Sequence, residues 1–196
     1  MKTIIISSIL AFALLASCNS TSDEKKESKV PDTSVDQQAK TTASGTSKNA
    51  ENTSPFSGIL VSYLQMKNAF ALDNDKDASI AGNNMVKAFA KFDTTGLTTA
   101  QSKKYNDIRD DAKEHAEHIG MNAGNIKHQR EHFEMLSKDV YELVKSLGAG
   151  QKLYYDHCPM YNGGKEANWI SETKEINNPY LGKSMPTCGK VTEEIN

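Results

Sequence analysis

The clearest candidates for chemistry are two pairs of sulfur-bearing side chains near the end of the chain. Cys158 and Met160 flank one proline, and Met185 and Cys188 repeat the combination in the opposite order around another. A proline between the sulfurs prevents a helix there. Thiolate and thioether sulfurs are soft ligands that favour Cu(I) over hard ions. If the two cysteines meet in the fold, the methionines come close to them, so the pattern predicts a Cu(I) site made by these four side chains.

The same cysteines support a second hypothesis. In an oxidising compartment Cys158 and Cys188 can form a disulfide. It would close a loop of about 30 residues and stabilise the fold by about 3–4 kcal/mol in the chain-entropy model. Met160 and Met185 would then be ordinary packing residues of an interaction module. Both hypotheses stay open on the sequence alone, and the two states can also be stages of one redox-gated site.

His157 stands directly before Cys158 and is a further candidate ligand. The two cannot easily act as base and nucleophile together, because adjacent residues on an extended chain point to opposite faces. The chain also lacks the GxGxxG, GxxxxGK[ST], GxSxG and HExxH motifs. We therefore predict that the protein is not an enzyme. Trp169 can shield an ion, but a core aromatic that packs this segment onto the rest is the better interpretation.

Four further histidines form two pairs, His115 with His118 and His128 with His132. Spacings of three and four place the two rings of each pair on one helix face, as metal chelation requires. Histidines on a helix surface give the same pattern. Without further information we interpret either pair in that second way.

Residues 55–148 show four apolar stripes at helical spacing, separated by short polar turns. Ser54 and Pro55 resemble a helix start, Thr98 and Gln101 form a capping-box pattern, and Gly148 is typical of a helix end. The predicted stripes contain Leu60, Tyr63, Leu64 and Phe70, interrupted only by Lys67; Ala81, Met85 and Phe89; Tyr105, Ile108, Ala112 and Ile119; Ile126, Phe133, Leu136, Val140 and Leu143. We predict an all-α fold, an antiparallel four-helix bundle over residues 55–150.

Residues 151–196 lose the helical periodicity and contain several glycines and prolines. Short extended pieces are expected around Leu153, Tyr155 and Trp169, but most of the segment is predicted to be loop. A loop of this length is uncommon in a compact domain unless it is functional or cross-linked. We expect it to pack on the bundle and to form one domain with it.

The chain begins with a pattern typical of export. Lys2 precedes an apolar run that is too short to span a membrane. Leu15-Ala16-Ser17-Cys18 resembles the lipobox of bacterial lipoproteins, so residues 1–18 are predicted to be a signal peptide whose Cys18 receives the lipid. Residues 19–54 hold too little apolar area to pack and are predicted to be a disordered tether. The expected location is the cell envelope, on the outer membrane, at its periplasmic side or at the cell surface.

Composition excludes one class of partner. The formal net charge is −2 and the pI is about 6.2. A nucleic-acid-binding domain would show a strongly basic face, so no nucleic-acid partner is expected.

Several motifs together resemble the DUF3347 family, over about residues 56–195. In the helical part they are Tyr63–Ala69 and Gln129–Ser137; in the C-terminal part they are Tyr155–Met160, Gly164, Trp169–Ser171, Glu175–Gly182, Met185 and Cys188-Gly189. The family's C-terminal block is similar to an extension on some copper-efflux adaptor proteins. The resemblance implies copper or other heavy-metal handling, with a copper-efflux system as possible partner. It also adds His132, which lies in a family motif, to the candidate metal ligands.

Overall fold

Residues 56–196 are the part of the chain that the computed structural model describes. They belong to one compact unit, Lys48–Asn196. The predicted signal peptide, Cys18 and the tether of residues 19–54 lie outside the described residues. Among residues 56–196, none of the helices combines the length and the apolar character that a membrane span requires.

The first two thirds of the described chain form four helices. They are α1 (Ser57–Ala71), α2 (Asp75–Ala90), α3 (Thr99–Met121) and α4 (Ile126–Leu147). Each helix packs against the next one along the chain. The helix start predicted at Ser54 and Pro55 lies outside the described residues, and α1 is described from Ser57.

Local sequence signals fix the ends of these helices. Asn74 and Asn125 precede α2 and α4, and each side chain accepts a hydrogen bond from a backbone N–H in the first turn. Thr98 and Gln101 form the predicted capping box at the start of α3, so each satisfies a backbone N–H of the other. Gly148 ends α4 with a φ of 81°, a conformation that favours glycine.

The predicted stripes form the helical core; their large side chains are buried, except that Ile108 and Ile126 are partly exposed at its edge. Tyr63 and Phe70 of α1 both pack on Phe133 of α4, with ring centroids 5.1 Å apart in each case. The interruption of the first stripe is buried as well. Lys67 is 1% exposed, and its amine lies 2.8 Å from the carboxylate of Glu172.

The all-α prediction is wrong, because the segment predicted to be mostly loop contains a sheet. Its strands are β1 (Leu153–Cys158), β2 (Ala167–Ser171) and β3 (Lys190–Ile195). They form a three-stranded sheet in the order β2-β1-β3, and both pairings are antiparallel. Contacts of α4 and α1 with β2 place the sheet against the helices.

The short extended pieces predicted around Leu153, Tyr155 and Trp169 lie in β1 and β2. The strand β3 and the pairing of the three strands were missed, because the strands are short and carry polar side chains. The edge strand β3 is mostly exposed and holds Glu193 and Glu194. Tertiary contacts position it: Tyr141 and Lys145 of α4 both donate hydrogen bonds to the Glu193 carboxylate. A sequence pattern of alternating apolar residues cannot report contacts of this kind.

One arginine of α4 fastens the loop between β2 and β3 to the helices. The Arg130 guanidinium donates hydrogen bonds to the carbonyl oxygens of Phe70 and Pro179 at 2.7 Å and to the Asp73 carboxylate at 2.6 Å. Asp73 in turn accepts a hydrogen bond from the backbone N–H of Lys183. The hydrogen bond from Arg130 lowers the pKa of Asp73 below its usual value. The loop is therefore held at Pro179 and Lys183.

Replacing Arg130 by lysine is expected to lower the free energy of unfolding by about 2–3 kcal/mol, because an ammonium group cannot reproduce the planar fork of three charge-assisted hydrogen bonds. Urea unfolding followed by circular dichroism measures the change. Arg109→Lys is the matched control, because Arg109 pairs at the surface with the neighbouring Asp110. A change within about 0.5 kcal/mol is expected there. Equal losses in the two variants would contradict the role given to Arg130.

Candidate metal-binding site

The fold brings together the two cysteines of its C-terminal segment. Cys158 ends β1, and Cys188 lies just before β3. The paired residues His157 and Lys190 hold these two chain segments side by side. The Sγ atoms of Cys158 and Cys188 are 3.5 Å apart, although the residues are 30 positions apart in the sequence. Both cysteines are free; Cys158 is fully buried and Cys188 is partly exposed.

The contact between the sulfurs affects their protonation. The hydrogen bond with Cys158, followed by burial, raises the pKa of the Cys188 thiol. Cys188 therefore favours the thiol form when no metal ion is bound. A metal ion that binds here has to displace protons, so its affinity depends on pH.

Asn178 determines the path of the loop that carries Cys188. Its side chain is fully buried and donates a hydrogen bond from Nδ2 to the carbonyl oxygen of Cys188 at 2.6 Å. Its Oδ1 accepts from the backbone N–H groups of Tyr180 and Leu181. Its own backbone N–H donates to the carbonyl oxygen of Pro186. One residue thus holds both ends of the loop between positions 178 and 188.

Gly189 allows the chain after Cys188 to lie against the sheet. Its φ is +145°, which disfavours a side chain, and an added Cβ would come within 2.9 Å of both the His157 carbonyl oxygen and Cη2 of Trp169. Trp169 is fully buried and packs edge-on against Tyr180, with ring centroids 5.9 Å apart. It therefore occupies a core position beneath the strand that follows the cysteine.

The two predicted methionine ligands flank the cysteine pair in the chain and are exposed to solvent. Met160 is 55% exposed and Met185 is 37% exposed. The backbone N–H of Cys188 donates to the carbonyl oxygen of Met185 in a tight turn. Neither thioether serves as a buried packing group.

His157 makes polar contacts with residues other than the cysteines. Its Nδ1 lies 3.0 Å from Oδ1 of Asn168, and its Nε2 lies 4.0 Å from a carboxylate oxygen of Glu166. Neighbouring residues on a strand point to opposite faces, so the His157 ring and the Cys158 thiol diverge.

An unforeseen acidic group lies beside Cys158 on the same face of β1. Asp156 is fully buried, and its carboxylate interacts with the indole N–H of Trp169 without a hydrogen bond of ordinary geometry. Burial raises its pKa to about 7, opposed by the positive charge of Lys67. The interruption of the helical stripe by Lys67 was the sequence signal for a buried ionic group.

His132 has its contacts with the other histidines of the helices. Its Nδ1 lies 3.2 Å from Nδ1 of His115, and its ring stacks on that of His118 with centroids 4.2 Å apart. The ring of His128 meets it edge-on at 4.6 Å. Burial, followed by the three neighbouring imidazoles, lowers the pKa of His132 to about 4. The contacts found among residues 56–196 do not include one between His132 and either cysteine.

The sequence analysis did not foresee that the two histidine pairs meet. They lie on α3 and α4, at similar distances from the turn that joins these helices. An antiparallel hairpin of helices brings such positions together, and that symmetry was the available signal.

Comparison with known families bears on the helical part of this arrangement. Residues 59–152 match the DUF3347 family. The function of this family is described as unknown. The match covers the four helices and ends before β1, so the predicted resemblance is confirmed for the helical part; the cysteine motifs lie beyond the matched residues. Neither the curated proteins nor the solved structures contain a match to the chain.

Gly189→Ala is expected to move Cys188 away from Cys158, because the new methyl group collides with the His157 carbonyl and Trp169. The free energy of unfolding should fall by about 1–3 kcal/mol, and oxidation of the thiol pair by diamide should slow. Gly163→Ala is the control, because Gly163 also has a positive φ, +71°, but open space around it. Its thiol oxidation rate should stay at the wild-type value. An unchanged rate in Gly189→Ala would show that this glycine does not control the pair.

Proposed function

We propose that the protein is an envelope lipoprotein that binds and buffers Cu(I) through the thiolates of Cys158 and Cys188. The observation that carries the proposal is the 3.5 Å separation of two free thiols from distant parts of the chain. One thiol is buried and the other is partly exposed, so an ion can enter from solvent and be held away from it.

The separation suits two ligands of one ion. Metal–sulfur bonds of about 2.3 Å with tetrahedral angles hold two thiolates about 3.8 Å apart. The two sulfurs at 3.5 Å need only a small outward movement. Thiolates select soft ions. Among these ions we propose Cu(I), because the motifs of the C-terminal segment resemble an extension on copper-efflux adaptor proteins.

The exposed methionines favour a metal function over simple packing. Met160 and Met185 follow and precede the two cysteines at short spacing, and each leaves more than a third of its surface in solvent. An apolar side chain that stays partly exposed contributes less to stability than a fully buried one. As thioether ligands they would complete the coordination or relay the ion to a partner, for which a copper-efflux system is the proposed candidate.

The proposed location follows from the N-terminal sequence. A lipid on Cys18 would anchor the protein to the envelope membrane, and residues 19–54 would hold the metal-binding domain away from it. A flexible tether lets such a domain reach partners over a wide area.

A structural disulfide is the second candidate, and the same geometry favours it. Two thiols at 3.5 Å need to approach further to form a bond. The bond forms when an oxidant takes two electrons and the two protons leave, which suits the oxidising envelope. In this case the protein would be a non-enzymatic interaction module.

We predict that the protein binds one Cu(I) per chain. The full chain carrying Cys18→Ala would be kept reduced without oxygen and titrated against a competing Cu(I) chelator. Cys158→Ser and Cys188→Ser should each weaken binding by more than about 100-fold, because losing a direct ligand costs more than losing a group behind one. Met160→Leu should have a smaller effect in the same direction.

Met121→Leu is the matched control, since Met121 is an exposed methionine at the end of α3, and it should leave Cu(I) affinity unchanged. Free thiols are then counted in protein purified from the envelope without reductant. Unchanged Cu(I) binding in both serine variants would show that Cys158 and Cys188 are not the ligands. Complete oxidation of the pair in the envelope would favour the disulfide function.

A further inference from the structure

Four imidazoles from two helices meet at one place in the bundle. His115 and His118 lie on α3, and His128 and His132 lie on α4. The rings of His118, His128 and His132 all contact one another, with centroid separations from 4.2 to 5.8 Å. Each of these three offers a nitrogen within 4.8 Å of the other two. No other cluster of three or more potential metal-binding His, Cys, Asp or Glu side chains occurs among residues 56–196.

We propose that His118, His128 and His132 form a second metal site, separate from the thiol pair, for a borderline divalent ion such as Zn²⁺ or Cu²⁺. Neutral imidazole is the preferred side-chain ligand of these ions, whereas paired thiolates suit softer ones. Three histidines with a solvent molecule in the remaining position are a common arrangement around Zn²⁺. The inference does not rest on the Cu(I) function, because it uses different residues.

The distances allow one ion to be shared. Metal–nitrogen bonds of about 2.1 Å hold two imidazole nitrogens of a tetrahedral site about 3.4 Å apart. The three nitrogens therefore have to close by at most about 1.4 Å from their 4.8 Å limit. The rings of His118 and His132 lie nearly parallel, at 4°. At least one of them therefore also has to turn about its side-chain torsions, so that both nitrogen electron pairs point at the ion.

The ring environment leaves nitrogens for an ion. One nitrogen of His132 faces His115, so the other is available for coordination. His118 and His128 each have one nitrogen directed toward a carboxylate, at 3.8 Å from Glu114 and 3.7 Å from Glu131. Carboxylates behind metal-bound histidines fix the ring orientation and raise the basicity of the ligand. They also compensate part of the charge of a divalent ion.

The cluster is accessible to solvent. The side chains of His118 and His128 are 38% and 34% exposed, which provides a path for an ion from solvent. Neutral rings offer the free electron pair that a metal needs.

The test uses the full chain with Cys18→Ala, Cys158→Ser and Cys188→Ser, so that no thiol contributes. Zn²⁺ is titrated into this cysteine-free protein by calorimetry, and thermal unfolding is recorded with and without Zn²⁺. We expect one Zn²⁺ per chain and a rise in the unfolding temperature, because the ion binds the folded state. His118→Gln and His128→Gln should each weaken Zn²⁺ binding at least tenfold and remove most of the rise.

His157→Gln is the matched control, since His157 lies in β1 and outside the cluster. It should bind Zn²⁺ as the cysteine-free parent does. Unfolding temperatures without metal show whether each variant still folds; the partial exposure of His118 and His128 makes both substitutions mild. The proposal is overturned if the cysteine-free protein binds no Zn²⁺, or if His118→Gln and His157→Gln bind it equally. Neither result would bear on the proposed thiol site, because failure of Cu(I) binding by the cysteines is detected only in the Cu(I) titration.

Discussion

The hydrogen bonds of the buried Asn178 carboxamide are the interactions on which the C-terminal third of the described structure depends. They join the middle of the β2–β3 loop to the carbonyl of Cys188, and Arg130 of α4 fastens the same loop to α1 through Pro179 and Phe70. A polar side chain that is fully buried has to find all its partners inside the protein. Asn178 does so only when the loop follows this path. The approach of the two cysteines is therefore a consequence of loop geometry rather than of a bond between them.

The sequence predicted the helices well and the sheet poorly, for physical reasons. A helical repeat of 3.6 residues and side-chain caps such as the Thr98–Gln101 pair involve residues close together in the sequence. They can therefore be recognised without knowledge of the fold. The strands depend on distant partners. β1 contains a buried Asp156, and β3 places Glu193 against Tyr141 and Lys145 of α4. Such strands have no apolar alternation to detect, and the all-α prediction was wrong for that reason.

The sequence pointed to the approach of the two cysteines but not to the meeting of the histidines, and the predicted metal ligation stays a prediction. The mirrored order of Cys158, Met160, Met185 and Cys188 pointed to one location, and the two sulfurs of the cysteines do meet. The histidines required knowledge of how α3 and α4 face each other, because each pair alone resembles a surface feature. His132 was assigned to the cysteines through a family motif, whereas its contacts are with His115, His118 and His128. The domain thus places two thiols at the end of its sheet and four imidazoles on its helices.

The central claim is that the two thiols act together on one soft ion. X-ray absorption at the copper edge, on the anaerobic Cu(I)-loaded full chain with Cys18→Ala, measures it most directly because it reports the elements bound to the metal. The account predicts at least two sulfur neighbours for each copper and their loss in the Cys158→Ser, Cys188→Ser double variant. Copper surrounded by nitrogen and oxygen alone, with both thiols intact, would contradict it.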